Sequence, residues 1–212
     1  ANVFYNIIEG VLVTAPDGTI LSVNPACCAL TGYSAEELIG RNPRQMKSDQ
    51  HPAAFYSDMW RDICSNGSWT GEIWNRRKGG ETFLCRQTIT AIRDEYGVVQ
   101  NYISVFSDIT EMKQREECIR HQAYHDVLTD LPNRSLFMDR LGQALNKSRR
   151  GRQSMALMFI DLDHFKAVND DFGHGVGDRL LVEAARRIVE SVRDVDTVAR
   201  LGGDEFTVIL SD

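Results

Sequence analysis

Two short acidic segments hold the residues of this 212-residue chain best suited to chemistry. The first, Asp161-Leu162-Asp163, ends the apolar run from Met155 to Ile160. Carboxylates at the end of a buried strand are costly unless they are solvated or bind a cation. Two acids with a backbone carbonyl between them offer hard oxygen ligands suited to magnesium. The second segment, Gly202-Gly203-Asp204-Glu205, lies between the apolar runs Thr197 to Leu201 and Phe206 to Leu210. Gly-Gly at the bend of two such runs is a hairpin signal, and a plain hairpin has no need of two acids after it. With this hairpin beside the strand ending at Asp161, the carboxylates would converge at one sheet edge. Together with magnesium, that is the two-metal arrangement that activates a hydroxyl and neutralises phosphates. The alternative is an acidic turn on a solvated rim.

Several elements must position these acids. The continuous apolar run Met155 to Ile160 predicts a strand buried on both faces. Ser135 to Ser148 predicts a helix with Leu136, Phe137, Leu141, Ala144 and Leu145 on one face. Gly173-His174-Gly175-Val176-Gly177-Asp178 reads as a glycine-rich loop before an amphipathic helix. The core positions of that helix would be Leu180, Leu181, Ala184, Ala185, Ile188, Val189 and Val192. Such a loop either brings backbone close to a ligand or serves the turn alone.

The first half has a different grammar. Gly10 to Thr14 and Thr19 to Val23 predict a hairpin about the turn Ala15-Pro16-Asp17-Gly18. Asn24-Pro25 opens a helix that Gly32 ends, and Ser34-Ala35-Glu36-Glu37 spells a capping box. A helix around Phe55 to Cys64 precedes three strands, Gly71 to Asn75, Thr82 to Ile92 and Val98 to Phe106. Together these make an α+β domain with one antiparallel sheet. Residues 108–126 contain no Gly or Pro, and Ile109, Met112, Ile119 and Ala123 fall at helical spacing. That stretch is either a short coiled-coil connector between two protomers or an amphipathic helix packed on its own domain.

Composition narrows the function classes. Hydrophobic residues at 42% supply a real core. A net charge of -6 argues against coating nucleic acid or a membrane surface, both of which need a basic surplus. Five cysteines (Cys27, Cys28, Cys64, Cys85 and Cys118) show neither a CxxC pair nor a Cys/His zinc spacing, so buried reduced thiols are expected. No apolar run reaches the ~20 residues of a membrane span. A cytoplasmic location is the expectation, with an upstream membrane anchor left open.

The order and spacing of Asp17-Gly18, Asn24-Pro25-Ala26, Thr31-Gly32-Tyr33, Glu37-Leu38-Ile39-Gly40, Trp69-Thr70-Gly71-Glu72, Asn75-Arg76-Arg77-Lys78 and Asp108-Ile109-Thr110 resemble a PAS sensor domain. The second half resembles the GGDEF family of diguanylate cyclases. The resemblance rests on Gly202-Gly203-Asp204-Glu205-Phe206 with Ala199-Arg200-Leu201 before it, the opening motif Asp126 to Arg134, and the segments Phe159 to Lys166 and Asn169 to Asp178. It implies a PAS domain over 1–107, a signalling helix over 108–126, and over 127–212 part of an α/β sandwich like the palm of nucleotidyl cyclases and polymerases.

The resemblance further implies synthesis of cyclic di-GMP from two GTP, with two magnesium ions per site. By positional match Asp161, the Leu162 carbonyl and Asp204 would hold metal. Asp204 would also be the base for the ribose 3′-hydroxyl, supported by Glu205, and Lys166 would offset charge on the transferring phosphate. Asn169 and Asp178 would read the guanine edge, and His174 would either face the nucleotide or brace its loop. Arg193 and Asp196 match an RxxD inhibitory site for the product, the alternative being a solvated charge pair at a helix end. Dimerisation would bring two GTP sites face to face.

The second reading is a catalytically silent module that senses GTP or cyclic di-GMP and controls a downstream EAL-type phosphodiesterase domain. A third is a dimerisation scaffold with no nucleotide role. The family continues past Asp212, so Val208, Ile209 and Leu210 are expected to be exposed on an unfinished core. In the sensor half Pro43 stands where light-sensing flavin domains carry a reactive cysteine, which argues against a covalent photocycle. His51 as a haem ligand is disfavoured by its polar surroundings. Trp60, Trp69 and Trp74 either line a flavin or small-ligand pocket or simply pack the core.

Overall fold

Alternating apolar and polar residues in the first half build an antiparallel sheet with one face turned to the core. The computed structural model describes residues 2–151 and 154–211. The chain divides into two compact units, 1–114 and 115–212. Among the described residues no helix is long and apolar enough to cross a membrane.

The first unit begins with α1 (Asn2–Asn6), β1 (Gly10–Thr14) and β2 (Ile20–Val23). Next come α2 (Pro25–Thr31), α3 (Ala35–Leu38), a 3₁₀ turn at Pro43–Met46 and α4 (Ala53–Asn66). Strands β3 (Ser68–Arg76), β4 (Thr82–Arg93) and β5 (Val99–Asp108) complete a five-stranded sheet of order β2-β1-β5-β4-β3. Asn24 locks its first corner. Its Oδ1 accepts from the Val11 and Cys27 N–H groups at 2.8 Å, and its Nδ2 donates to the Glu9 carbonyl at 2.9 Å. A fully buried amide is tolerated there because its hydrogen-bonding groups find partners on both the strand and the helix. The capping box forms, with Ser34 Oγ accepting from Glu37 N–H and Glu37 reaching back to Ser34 N–H. The core gathers Leu12, Ile20, Leu38, Ile63, Phe83 and Phe106.

At the end of β5, Arg77 pairs with Asp108, donates to the Leu30 carbonyl, and lies over the Phe83 ring at 4.1 Å. Asp108 also accepts from Thr110 N–H at 2.9 Å. This starts α5 (Thr110–Tyr124). Of the predicted apolar stripe only Ile109 is buried, while Met112 and Ile119 are exposed. The cysteines are free, but only Cys27 and Cys85 are fully buried, where burial pushes both thiols up to about 12. Cys64 and Cys118 are exposed, on outward faces of α4 and α5, so the expectation of buried thiols fails for those two.

In the second unit, β6 (Met155–Asp161), β7 (Thr197–Gly202) and β8 (Glu205–Ser211) form an antiparallel sheet of order β6-β8-β7. The helices are α6 (Arg134–Gly151), α7 (Phe165–Phe172) and α8 (His174–Glu190). On one sheet face Phe137 of α6 packs with Ala199 and Ile209, and on the other Leu181 and Ala185 of α8 pack with Phe206. The alternation along β8 serves both layers, so this unit is an α/β sandwich.

Several expectations change here. Strand β6 is not buried on both faces: Leu157, Met158 and Phe159 are 40%, 47% and 69% exposed. Among the described residues it is an edge strand, paired with β8 alone. For the same reason Val208 and Ile209, on the central strand, are buried rather than exposed. The segment from His174 to Asp178 is not a loop but the first turns of α8, and Gly173 alone separates α7 from α8. Gly177 serves close packing: a Cβ there would stand 2.0 Å from Asn169 Oδ1. On α8 the stripe Leu181, Ala184, Ala185 and Ile188 meets the sheet while Leu180 and Val189 face outward, as does Leu145 on α6. Only one face of each helix touches the sheet.

Burial alone would raise the Asp108 carboxyl, but hydrogen bonds from Thr110 and Arg77 outweigh it and hold the group below its ordinary value. A depressed folded-state pKa stabilises above the unfolded value and is lost as pH falls through the folded one. Asp108→Asn is therefore expected to cost the first unit about 1–3 kcal/mol at neutral pH. The difference from the unsubstituted chain should close on acidification below the ordinary aspartate value, as read by thermal unfolding from about pH 7 to about pH 3.

Candidate functional site

The acidic hairpin lies where its spacing predicts. Antiparallel pairing of β6 with β8 sets Asp161 directly opposite Glu205. Gly202 pairs with Glu205, leaving Gly203 and Asp204 as the two-residue turn. Gly202 and Gly203 have φ of 144° and 55°, backbone that a side chain would strain. Asp161 and Glu205 are exposed and Asp204 half-buried. Among the described residues, no lysine or arginine pairs with Asp161, Asp163, Asp204 or Glu205, and no three of these carboxylates have oxygens within 4.8 Å of one another. Uncommitted hard oxygens at a strand end and an adjoining turn are a donor set that fits magnesium. The Leu162 carbonyl accepts from Phe165 N–H at 3.2 Å and keeps a second lone pair. His164, at φ 60°, turns the chain from β6 into α7.

The flanking candidates spread over two helices. Lys166 is exposed on the first turn of α7. Asn169, on the same helix, buries Oδ1 against Gly177 with no partner among the described residues. A buried amide oxygen without a donor costs about 1–3 kcal/mol, a penalty that the Asn169–Gly177 packing carries. His174 and Asp178 are exposed at the start of α8. Arg193 and Asp196 do not pair through their side chains. Asp196 accepts instead from Arg193 N–H at 3.0 Å and Ser211 N–H at 3.1 Å, which leaves the Arg193 guanidinium exposed.

Two residues with no role assigned from sequence tie the turn down. Arg200 donates from Nε and Nη2 to the Gly203 carbonyl at 3.0 and 2.6 Å, and from Nη1 to Asp126 at 2.7 Å. Asp126 also accepts from Thr129 N–H and Oγ at 2.9 and 2.7 Å. Burial pushes the Asp126 carboxyl up, but these bonds outweigh it and hold the group low. The signal was a lone arginine within the apolar run Val198 to Leu201, a position that needs an acceptor.

The first unit holds a partly open cavity of about 770 Å³ between the sheet and the Pro43–Met59 region. Leu12, Ile73, Ile89 and Phe106 give it an apolar lining, interrupted by Gln87 and Ser104, which bond each other at 2.7 Å. Both polar residues occupy core-facing positions of alternating strands (Cys85, Gln87, Ile89 and Tyr102, Ser104, Phe106), the signal that sequence reasoning passed over. Tyr56 also lines the cavity, with its hydroxyl buried and lacking a partner among the described residues.

Of the three tryptophans only Trp60 lines this space, and Pro43 lines it while no cysteine does. His51 does not line it. Its Nε2 accepts from Trp74 N–H at 2.9 Å, its ring stacks on Phe55 at 4.0 Å, and burial lowers its pKa. Its lone pair is thus committed, and the residues present do not fit a haem ligand.

Arg200→Met leaves Asp126 and the Gly203 carbonyl without their donor, and should cost the second unit about 1–3 kcal/mol in urea denaturation. Tyr56→Phe removes an unpaired buried hydroxyl. In the ligand-free chain it should leave the melting temperature unchanged or raise it, by up to about 1 kcal/mol in stability.

Both parts of the chain match known families. The model of the diguanylate cyclase GGDEF domain matches residues 123–212, and that of the PAS domain matches residues 8–111. Diguanylate cyclase TpbB of Pseudomonas aeruginosa is 48% identical over 100 residues, 47% of this chain and 23% of that protein. The probable diguanylate cyclase DgcE of Escherichia coli is 39% identical over 197 residues, 91% of this chain and 18% of that protein. The chain therefore spans less than a quarter of the length of either relative. An RNA-binding light-oxygen-voltage receptor of known structure is 28% identical with a TM-score of 0.51, over 57% of this chain and 35% of that one. Residues 8–111 are a PAS domain, and residues 123–212 belong to the GGDEF family of diguanylate cyclases.

Proposed function

We propose that this chain is the sensory and catalytic part of a diguanylate cyclase, which condenses two GTP into cyclic di-GMP and two pyrophosphates. The observation that carries the reading is the β6–β8 register, with Asp161 opposite Glu205 and Asp204 in the adjoining turn. Magnesium held by Asp161, the Leu162 carbonyl and Asp204 supplies neutralisation of the triphosphate when bound. Asp204 takes the proton of the ribose 3′-hydroxyl as its oxygen attacks the α-phosphorus of the facing GTP, and Glu205 supports it. Lys166 offsets charge on the transferring phosphate. Asn169 and Asp178 read the guanine edge, with His174 at the start of α8 facing the nucleotide. Arg193, its guanidinium exposed, and Asp196 take the product at an inhibitory site.

Each protomer binds one GTP, so a homodimer is needed to bring two 3′-hydroxyls to two phosphates. The α5 helix, with Met112 and Ile119 exposed, joins the sensor to the catalytic part as a connector between protomers. The PAS cavity takes a small organic ligand without a covalent bond. Its apolar lining, polar interruptions and missing thiol support a flavin-like heteroaromatic held non-covalently.

The test is GTP turnover with magnesium, followed as cyclic di-GMP by chromatography, on the protein in which this chain occurs. Asp204→Ala should abolish product, by at least about 100-fold given the contribution of a general base. Product formation that survives Asp204→Ala would sink the assignment. GTP binding without turnover in the unsubstituted protein would instead favour the silent sensing module.

A further inference from the structure

The end of α5 and the loop after it hold a cluster that neither the acidic hairpin nor the PAS cavity uses. His121 and His125 stand one turn apart, and His125 N–H donates to the His121 carbonyl at 2.8 Å, so helical spacing runs through both. Their rings stack with centroids 4.3 Å apart and planes within 10° of parallel. Asp130 faces them, with Oδ1 3.2 Å from His121 Nε2. One ring nitrogen of each histidine and a carboxylate oxygen of Asp130 all lie within 4.8 Å of one another. Among the described residues no other three His, Cys, Asp or Glu side chains meet that condition.

The loop that presents Asp130 is tied down. Asp130 N–H donates to the Asp126 carbonyl at 2.9 Å, and Asp126 N–H to the Leu131 carbonyl at 2.8 Å. Asn133 binds the last turn of α5 through its N–H to the Tyr124 carbonyl at 2.9 Å and its Nδ2 to the Ala123 carbonyl at 3.0 Å. Asp130 itself holds φ at 62°, a left-handed backbone that aspartate adopts more readily than most residues. His125 Nδ1 lies 2.8 Å from the Asp130 carbonyl. A carbonyl only accepts, so Nδ1 carries the proton and Nε2 keeps its lone pair in the neutral ring. A backbone carbonyl on the second ring nitrogen is the bond that commonly orients a metal-bound histidine.

From this geometry we infer that His121, His125 and Asp130 form a binding site for a divalent transition-metal ion of the zinc class. Two imidazoles and one carboxylate suit zinc, nickel or copper, whereas magnesium selects all-oxygen sites. Donor atoms around a tetrahedral zinc stand about 3.4 Å apart, a spacing His121 Nε2 and Asp130 Oδ1 already approximate. Water takes the fourth position. The ion would link the last turn of α5 to the loop whose Asp126 pairs with Arg200. The cysteine-centred spacings sought in the sequence miss this site because its third donor comes from a loop, not from a metal motif.

The test is calorimetric titration of zinc chloride into the metal-free chain carrying Cys64→Ser and Cys118→Ser, with magnesium in excess to occupy all-oxygen sites. One ion per chain is expected, and His121→Ala or His125→Ala should weaken binding about tenfold or more. Cobalt chloride in the same chain should give the visible absorption of a four- or five-coordinate nitrogen–oxygen site, which either substitution removes. Asp130→Asn, which keeps the side chain's size, should also weaken zinc binding, and it serves if a histidine variant fails to fold by circular dichroism. Unchanged zinc affinity in folded His121→Ala/His125→Ala or in Asp130→Asn, or no saturable binding at all, would overturn the site.

Discussion

The register between β6 and β8 governs the chemistry of the second unit. Side chains alternate faces along a strand, so a slip of one residue would carry Asp161 and Glu205 to opposite faces. It would also swap the two layers that β8 serves, moving Phe206 from α8 to α6 and Ile209 the other way. Hydrophobic burial on both faces of the central strand therefore holds the acids together, although no acid takes part in that burial. The turn is tuned separately: Arg200 grips the Gly203 carbonyl and is itself held by Asp126.

The first unit follows the same rule with different parts. Two of its buried polar groups tie elements together, Asn24 between β1 and α2 and Arg77 between the Leu30 carbonyl and Asp108. Asp108 both ends β5 and accepts from the first residue of α5, so the last strand and the helix after it share one carboxylate. The unpaired Tyr56 hydroxyl lines a cavity, where an unmet hydrogen bond supports ligand binding better than it supports the fold.

Much of this was legible in local sequence. The hairpins, the capping box at Ser34 and the acids that follow Gly202 and Gly203 at the β7–β8 turn follow from short-range chemistry, because turns and caps are decided within four or five residues. Failures occur where burial depends on distant partners. The run from Met155 to Ile160 has the composition of a central strand yet lies at an edge, since composition does not say how many neighbours a strand has. The glycines from Gly173 to Gly177 suggested a loop, but Gly177 sits inside α8 because Asn169 packs against it.

By itself the sequence determined the two-part organisation, the antiparallel sensor sheet and the identity of the acids at the hairpin. Those features rest on periodicity, turn residues and motif order, all carried by neighbours along the chain. Only the tertiary structure decided that Asp161 faces Glu205, that Arg200 reaches Asp126 from 74 residues away, and that Gln87 and Ser104 share a cavity wall. Those outcomes depend on strand register and layer packing, which sum many weak contacts between residues far apart in sequence.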